Sequence, residues 1–261
     1  MKIGFRSGSM GDIEIAEALR QIRDCGYDGV EVCLEPAPLR PGRITQAGAE
    51  KVRATCDELG LEISSASFHA DNAELESRMR ETFEAVNVAT WLGTNVLVVN
   101  AERAVEDEAA RARQFAEIVE RMKRLCGLAE PKGVRIAVEP EPRLAVATAD
   151  DMLRLVEAVG SPALAVNLDI GHAEVTEGDV PGTIDRFGPL IVHTHIEDIA
   201  GRVHKHLVPG TGEIDYRAVF AAFDRVGYRG IHTIDLFGLG EKAIDTARRA
   251  VVALREIAES R

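Results

Sequence analysis

Apolar residues recur along this chain with two different periods, and the two alternate. Short runs rich in apolar and β-branched residues stand at KIGFR (2–6), GVEVCL (29–34), LEISSASFH (61–69), NVLVVN (95–100), VRIAVE (134–139), LAVNLD (164–169), LIVHTH (190–195) and IHTID (231–235). Their length and composition predict strands. Between them the apolar spacing changes to three and four, as in Leu75, Met79, Phe83 and Val86, then Phe115, Ile118, Val119, Met122 and Leu125, then Met152, Leu155, Val156 and Val159. Each stripe predicts a helix with one face packed on a sheet. Asp215, ahead of YRAVFAAF, stands where an N-cap would open the seventh helix, and Ala247, Ala250, Val251 and Leu254 mark the eighth.

Eight strand-helix units in 261 residues are the size of one α/β domain, a (β/α)8 TIM barrel spanning residues 1–261. A doubly wound open sheet is the runner-up, but its first strand-to-helix turn should carry GxGxxG, and RSGSMGD (6–12) does not. The Pro- and Gly-containing stretches EPAPLRPGR (35–43) and HLVPGTGEID (206–215) are short and lie between periodic segments, so they predict loops rather than a domain boundary.

Charge and cysteine content narrow the setting. Forty-three acidic against thirty-one basic residues give a net charge of −12, which disfavours nucleic acid and anionic membrane as partners. The basic residues of ARRAVVALREIAESR alternate with apolar ones, as on a solvated helix face. Cys25, Cys33, Cys56 and Cys126 form no CxxC pair, so neither a disulfide framework nor a thiolate zinc knuckle is expected. MKIGFRSGS lacks an apolar signal core, and no apolar stretch approaches eighteen residues. A cytoplasmic protein is expected.

The strand ends carry the chemistry. They include His69, Asn100, Glu139, Asp169, His195 and Asp235, with Glu31 inside the second strand. In a barrel these ends converge on one face. Strand alternation then turns Asn167 inward with Asp169 and His193 inward with His195, while Val192 and Thr194 face the helices. His193 should lie one layer below His195 as a hydrogen-bonded support. Any one strand-end carboxylate is as readily a cap or salt-bridge partner. Glu139, Asp169, His195 and Asp235 together offer three oxygen donors and one imidazole, a set suited to Mn, with Mg, Co or Zn as alternatives.

GYDGVEV (26–32), AVEPEP (137–142), NLDIGH (167–172), VHTHIED (192–198), HKHLVPGTGEIDY (204–216) and GYRGIHTID (227–235) together resemble the sugar-phosphate isomerase/epimerase group of the xylose isomerase-like superfamily, to which endonuclease IV-type nucleases also belong. The resemblance implies one divalent ion held by Glu139, Asp169, His195 and the residue ending strand eight. That group usually has Glu there, whereas this chain has Asp235, one methylene shorter. The resemblance also implies acid/base roles for Glu139 and Asp235, with His172 of the DxxH element contacting substrate. His69, His204 and His206 extend the likeness to the nuclease branch, and with His172 they are the alternative set for a second ion. Asn100, where that branch has a metal histidine, leaves the set incomplete. His204 and His206 are otherwise loop residues lining the mouth. Glu141 and Arg143 are candidates for substrate contact or a surface pair, and His232 has outward parity.

The expected activity is a metal-dependent isomerase or epimerase of a small carbohydrate, a ketose, an aldose or a cyclitol-like compound, acting through an enediolate. A lyase or dehydratase on a keto-sugar or keto-cyclitol is the alternative, followed by an abasic-site phosphodiesterase and an idle sugar-binding barrel. By resemblance the chain forms a dimer or tetramer.

Overall fold

A computed structural model describes residues 1–69 and 74–260. Eight parallel strands, β1 (Ile3–Arg6), β2 (Gly29–Cys33), β3 (Glu62–Ser67), β4 (Val96–Asn100), β5 (Arg135–Glu139), β6 (Leu164–Asp169), β7 (Ile191–Ile196) and β8 (His232–Ile234), follow one another in chain order. Pairing of β1 with β8 closes the ring. The chain is therefore a (β/α)8 barrel. Its helices are α1 (Ile15–Cys25), α2 (Gln46–Leu59), α3 (Leu75–Leu92), α4 (Glu108–Ala129), α5 (Ala149–Val159), α6 (Ile170–Thr176), α7 (Val180–Phe187), α8 (Tyr216–Arg225) and α9 (Ala243–Glu259).

The sixth unit departs from one helix per strand. After α6 the backbone turns through Gly178 at φ 71°, and Asp179 then caps α7 by accepting from Gly182 N, with Pro181 in the first turn. A left-handed glycine followed by an Asp cap and an early proline both stops one helix and starts another. Asp215 caps α8 as expected, through Ala218 N at 3.0 Å. Leu75 does not pack as its stripe predicted. It lies at the first position of α3 and is 42% exposed.

The main core lies between strands and helices, and Ile136 and Val138 of β5 share it with Leu155 of α5. A second, small cluster joins Val96, Val98 and Ala137, with Val192 packed against it. By strand parity with Asn100 and Glu139 this cluster lies inside the barrel. Val192 thus corrects the expectation that it faces the helices. Val166 pairs with Ile191 and Asn167 with His193, so the register slips at Val192 and the strict alternation fails there. A similar slip follows Val30, which pairs with Ile63 while Glu31 pairs with Ser65. Both irregularities stand beside residues of the polar ring described next.

Candidate active site at the C-terminal ends of the strands

Each barrel strand ends at the same face, so residues from every part of the chain meet there. Glu139 ends β5, Asp169 ends β6, His195 stands one residue before the end of β7, and Asp235 follows β8. One donor atom of each lies within 4.8 Å of the others, and all four are buried. His195 Nδ1 is 3.3 Å from Glu139 Oε1, 3.8 Å from Asp169 Oδ2 and 3.7 Å from Asp235 Oδ2.

The other nitrogen of His195 faces away from this cluster. His195 Nε2 is 2.8 Å from Glu31 Oε2, which also lies 2.9 Å from His193 Nε2. Ser65 Oγ reaches both partners, at 3.0 Å from Glu31 and 3.1 Å from His193. His193 is therefore the support one layer down that the alternation predicted. A carboxylate behind one imidazole nitrogen orients the ring and raises the basicity of the other nitrogen, the usual device behind a metal-binding histidine. Burial opposes charge on Glu31, yet the His195 and Arg6 charges and both histidine hydrogen bonds outweigh it, holding the carboxyl well below its ordinary range. Burial likewise opposes a proton on His195, and the flanking Glu31 and Glu139 overcome it, raising the imidazole well above its usual value.

Glu139 is held from several sides. Asn167 Nδ2 donates to Oε2 at 3.0 Å, His69 Nε2 approaches the same oxygen at 3.1 Å, and His172 Nδ1 lies 3.3 Å from Oε1. Against burial, the His195 charge and the His195 and His69 hydrogen bonds hold its carboxyl well below the usual range. His172, in the first turn of α6, also places Nδ1 3.2 Å from Pro140 O. Because a carbonyl only accepts, Nδ1 carries a hydrogen, and Nε2 lies 3.0 Å from His204 Nε2. Burial and then the His172 and His206 charges push His204 down to about 4.

Glu31, His69 and His195 were visible in the sequence as polar strand residues, but the roles of Glu197 and Arg6 were not. Glu197 is fully buried, and burial followed by the Asp169 and Asp235 charges pushes its carboxyl well above the usual range. Among the described residues, Asp169 Oδ2 and Glu197 Oε2 are both buried without a hydrogen-bond partner. Arg6, at the end of β1, donates Nε to Glu31 Oε1 at 2.7 Å and Nη1 to Asp235 Oδ2 at 2.8 Å. Its position at the end of the first predicted strand, KIGFR, could have marked it.

A cavity of about 850 Å3 opens above this ring, lined among others by Arg6, Glu35, His69, Glu139, Glu141, His172, His204, His206, Asp235 and Phe237. Glu141 accepts from Asn100 Nδ2 at 3.1 Å, and burial, then Glu139, raise its carboxyl. His206 places Nδ1 2.9 Å from the Asp235 carbonyl. Arg143 is exposed, with a left-handed φ of 75°, and lies outside the described lining. His232 turns outward as its parity predicted, packing among Phe220, Phe223 and Tyr228.

The donor set suits a divalent cation. Three carboxylates and one imidazole converge, Asp235 Oδ1 is buried without a hydrogen-bond partner among the described residues, and Glu31 orients His195 with Nδ1 toward the carboxylates. Buried carboxylates brought this close need a counter-charge.

The family described as xylose isomerase-like TIM barrel matches residues 19–257. Fructoselysine 3-epimerase of Shigella flexneri is 25% identical over 90% of this chain and 90% of its own length. 3-Dehydroshikimate dehydratase of Pseudomonas putida is 26% identical over 93% of this chain, which spans 39% of that relative. Among solved structures, the IOLI protein with a bound zinc atom superposes with a TM-score of 0.82 over 100% of this chain and 99% of its own, at 18% identity.

Proposed function

The chain belongs to the xylose isomerase-like TIM barrel family, and from that premise we propose that it is a divalent-metal-dependent isomerase or epimerase of a small, uncharged carbohydrate. The observation that carries this reading is the convergence of Glu139, Asp169, His195 and Asp235, two of which, Glu139 and Asp235, line the cavity. The carbohydrate epimerase among the relatives supports the reaction class.

Glu139, Asp169, His195 and Asp235 would hold the ion, with Mn favoured by the oxygen-rich set and Mg, Co or Zn as alternatives. When bound, it would supply Lewis-acid stabilisation of the negative oxygen that develops as a proton leaves the carbon beside a carbonyl. Glu139 takes that proton, since its carboxylate is ionised and held in one orientation by Asn167 and His69. Asp235 is the second acid/base carboxylate that inversion at carbon requires. His172 holds the edge of Glu139 and, with His204, shapes the wall against which the substrate lies. His69, Glu141, His204 and His206 provide polar contacts for hydroxyl groups, and Arg143 would reach the substrate only from the rim. The same histidines, His69, His172, His204 and His206, are the alternative donors for a second ion.

Charge narrows the substrate. Of the cavity's two arginines, Arg6 is engaged by Glu31 and Asp235, and Arg40 by both oxygens of Glu81. Asp12, Glu35 and Glu141 add further acidity to the lining. A phosphate, a carboxylate or a nucleic-acid backbone would enter without a free cation to meet it among the described lining residues. A neutral ketose fits this lining. The four cysteines are buried free thiols, in keeping with a reducing cytoplasm, and no described helix is long and apolar enough to cross a membrane. A dimer or tetramer is part of the same reading, carried by the family resemblance.

The dehydratase relative motivates a second reading, in which the carbanion expels a β-hydroxyl instead of regaining a proton. Incubation of the protein with Mn and a panel of neutral ketoses in heavy water separates the two by NMR. Isomerisation or epimerisation places deuterium on carbon with no loss of mass as water. Loss of water identifies the dehydratase, and a panel showing neither exchange nor water loss on any ketose would overturn both.

A further inference from the structure

We propose that Arg6 is a positioning residue for both acid/base carboxylates, gripping Asp235 directly and Glu139 through His69. The inference rests on the proposed roles of those two carboxylates and adds what sets their geometry. Arg6 stands at the seam where β1 joins β2 on one side and β8 on the other. Its guanidinium has three engagements: Nε with Glu31 Oε1 at 2.7 Å, Nη1 with Asp235 Oδ2 at 2.8 Å, and Nη2 with His69 Nδ1 at 3.2 Å. A rigid fork of donors can hold three acceptors in fixed directions, which a lysine ammonium on a flexible stem cannot.

The contact with His69 fixes the direction of a relay. An arginine has only donors, so the facing Nδ1 is the acceptor and the ring's hydrogen sits on Nε2, aimed at Glu139 Oε2 3.1 Å away. A hydrogen on Nδ1 would face the guanidinium N–H. Glu139 therefore receives a donor whose orientation is imposed from β1.

The contact with Asp235 fixes a distance. Asp235 is pinned by its backbone, through N to Ile196 O at 3.1 Å and O to His206 Nδ1 at 2.9 Å. Arg6 then takes Oδ2, leaving Oδ1 buried without a partner among the described residues. At 2.8 Å between Oδ2 and Nη1 there is no room for another methylene at position 235 while the guanidinium stays. Arg6 and the short carboxylate form one unit. A guanidinium that served only to neutralise Glu31 would not need the other two contacts.

The test is a double-mutant cycle on the full chain with Arg6→Gln, Asp235→Glu and the pair, reading kcat, KM and the Mn dissociation constant by calorimetry. Arg6→Gln should lower kcat roughly 10- to 100-fold and weaken Mn binding about tenfold, the scale of other residues that orient ligands from behind. KM should stay within about threefold, because alignment of acid/base groups acts on the transition state. Asp235→Glu alone should lose about tenfold in kcat. In the pair, the longer carboxylate enters the space the guanidinium leaves, so kcat should exceed the product of the two single effects by about tenfold. Single effects that merely multiply, or a folded Arg6→Gln variant with unchanged kcat and Mn affinity, would overturn the proposal. If Arg6→Gln does not fold because Glu31 is left unpaired, Arg6→Lys retains the charge and should still lose at least about tenfold in kcat. Wild-type kcat in Arg6→Lys also overturns the proposal. A wild-type chain that binds no divalent ion would instead sink the site reading, and this proposal with it.

Discussion

Glu139 receives hydrogen-bonding side chains from just past β3 and from β6, β7 and α6, so its carboxylate is both ionised and immobile. Those two properties are what proton abstraction at carbon requires of a base. Glu139→Gln keeps the size and the neighbours while removing the basic oxygen. It should lower kcat by on the order of a hundred- to ten-thousandfold with an unchanged circular dichroism spectrum, and wild-type turnover would remove Glu139 from the mechanism. At this scale the sequence marked Glu139, Asp169, His195 and Asp235 because each stands at or next to the end of a strand, a local property. It did not announce Glu197, which lies past the end of β7 in HIED, nor the triple grip of Arg6. Both depend on neighbours 25 or more residues away along the chain.

The loop between β7 and α8 shows how an element can be held by one side chain. Asp198 Oδ1 accepts from Ile199 N at 2.9 Å and Ile214 N at 3.2 Å, and Oδ2 accepts from Gly210 N at 2.8 Å. The Asp198 and Leu207 backbones also exchange two hydrogen bonds, so the segment carrying His204 and His206 is tied at several points. A Cβ at Gly212 would collide with the Asp198 carboxylate and the Ile199 carbonyl. Asp198→Ala leaves three backbone N–H groups without their acceptor and should cost about 3 kcal/mol in urea unfolding, and Asp198→Asn less, since one oxygen remains. A loss below 0.5 kcal/mol for the alanine variant would show that the loop is held by other means. The sequence marked this segment as a Gly- and Pro-containing loop. That an aspartate inside VHTHIED closes it depends on the path of the chain up to sixteen residues on.

Across the whole molecule, a set of buried carboxylates gathered at one end of the barrel couples ion binding to stability. An ion that binds only the folded chain stabilises it by mass action, about 2.7 kcal/mol at a hundredfold excess over Kd. Dialysis against EDTA should therefore lower Tm by roughly 5–10 °C for a domain of this size, and added Mn should restore it in a concentration-dependent way. A Tm indifferent to both treatments would contradict a resident ion at this site. The alternation of two apolar periods was enough to establish eight strands, the closed α/β fold and the identity of the residues at the strand ends, because periodicity is written in neighbours three, four or two positions apart. The break between α6 and α7 and the slip at Val192 escaped it, since a local capping cluster and a register shift interrupt the period without changing the composition. Which strand-end residues touch, which oxygen of Asp235 is taken by Arg6 and which nitrogen of His195 faces the carboxylates were decided only by closure of the ring, which brings position 6 against position 235. Sequence order holds no record of that distance.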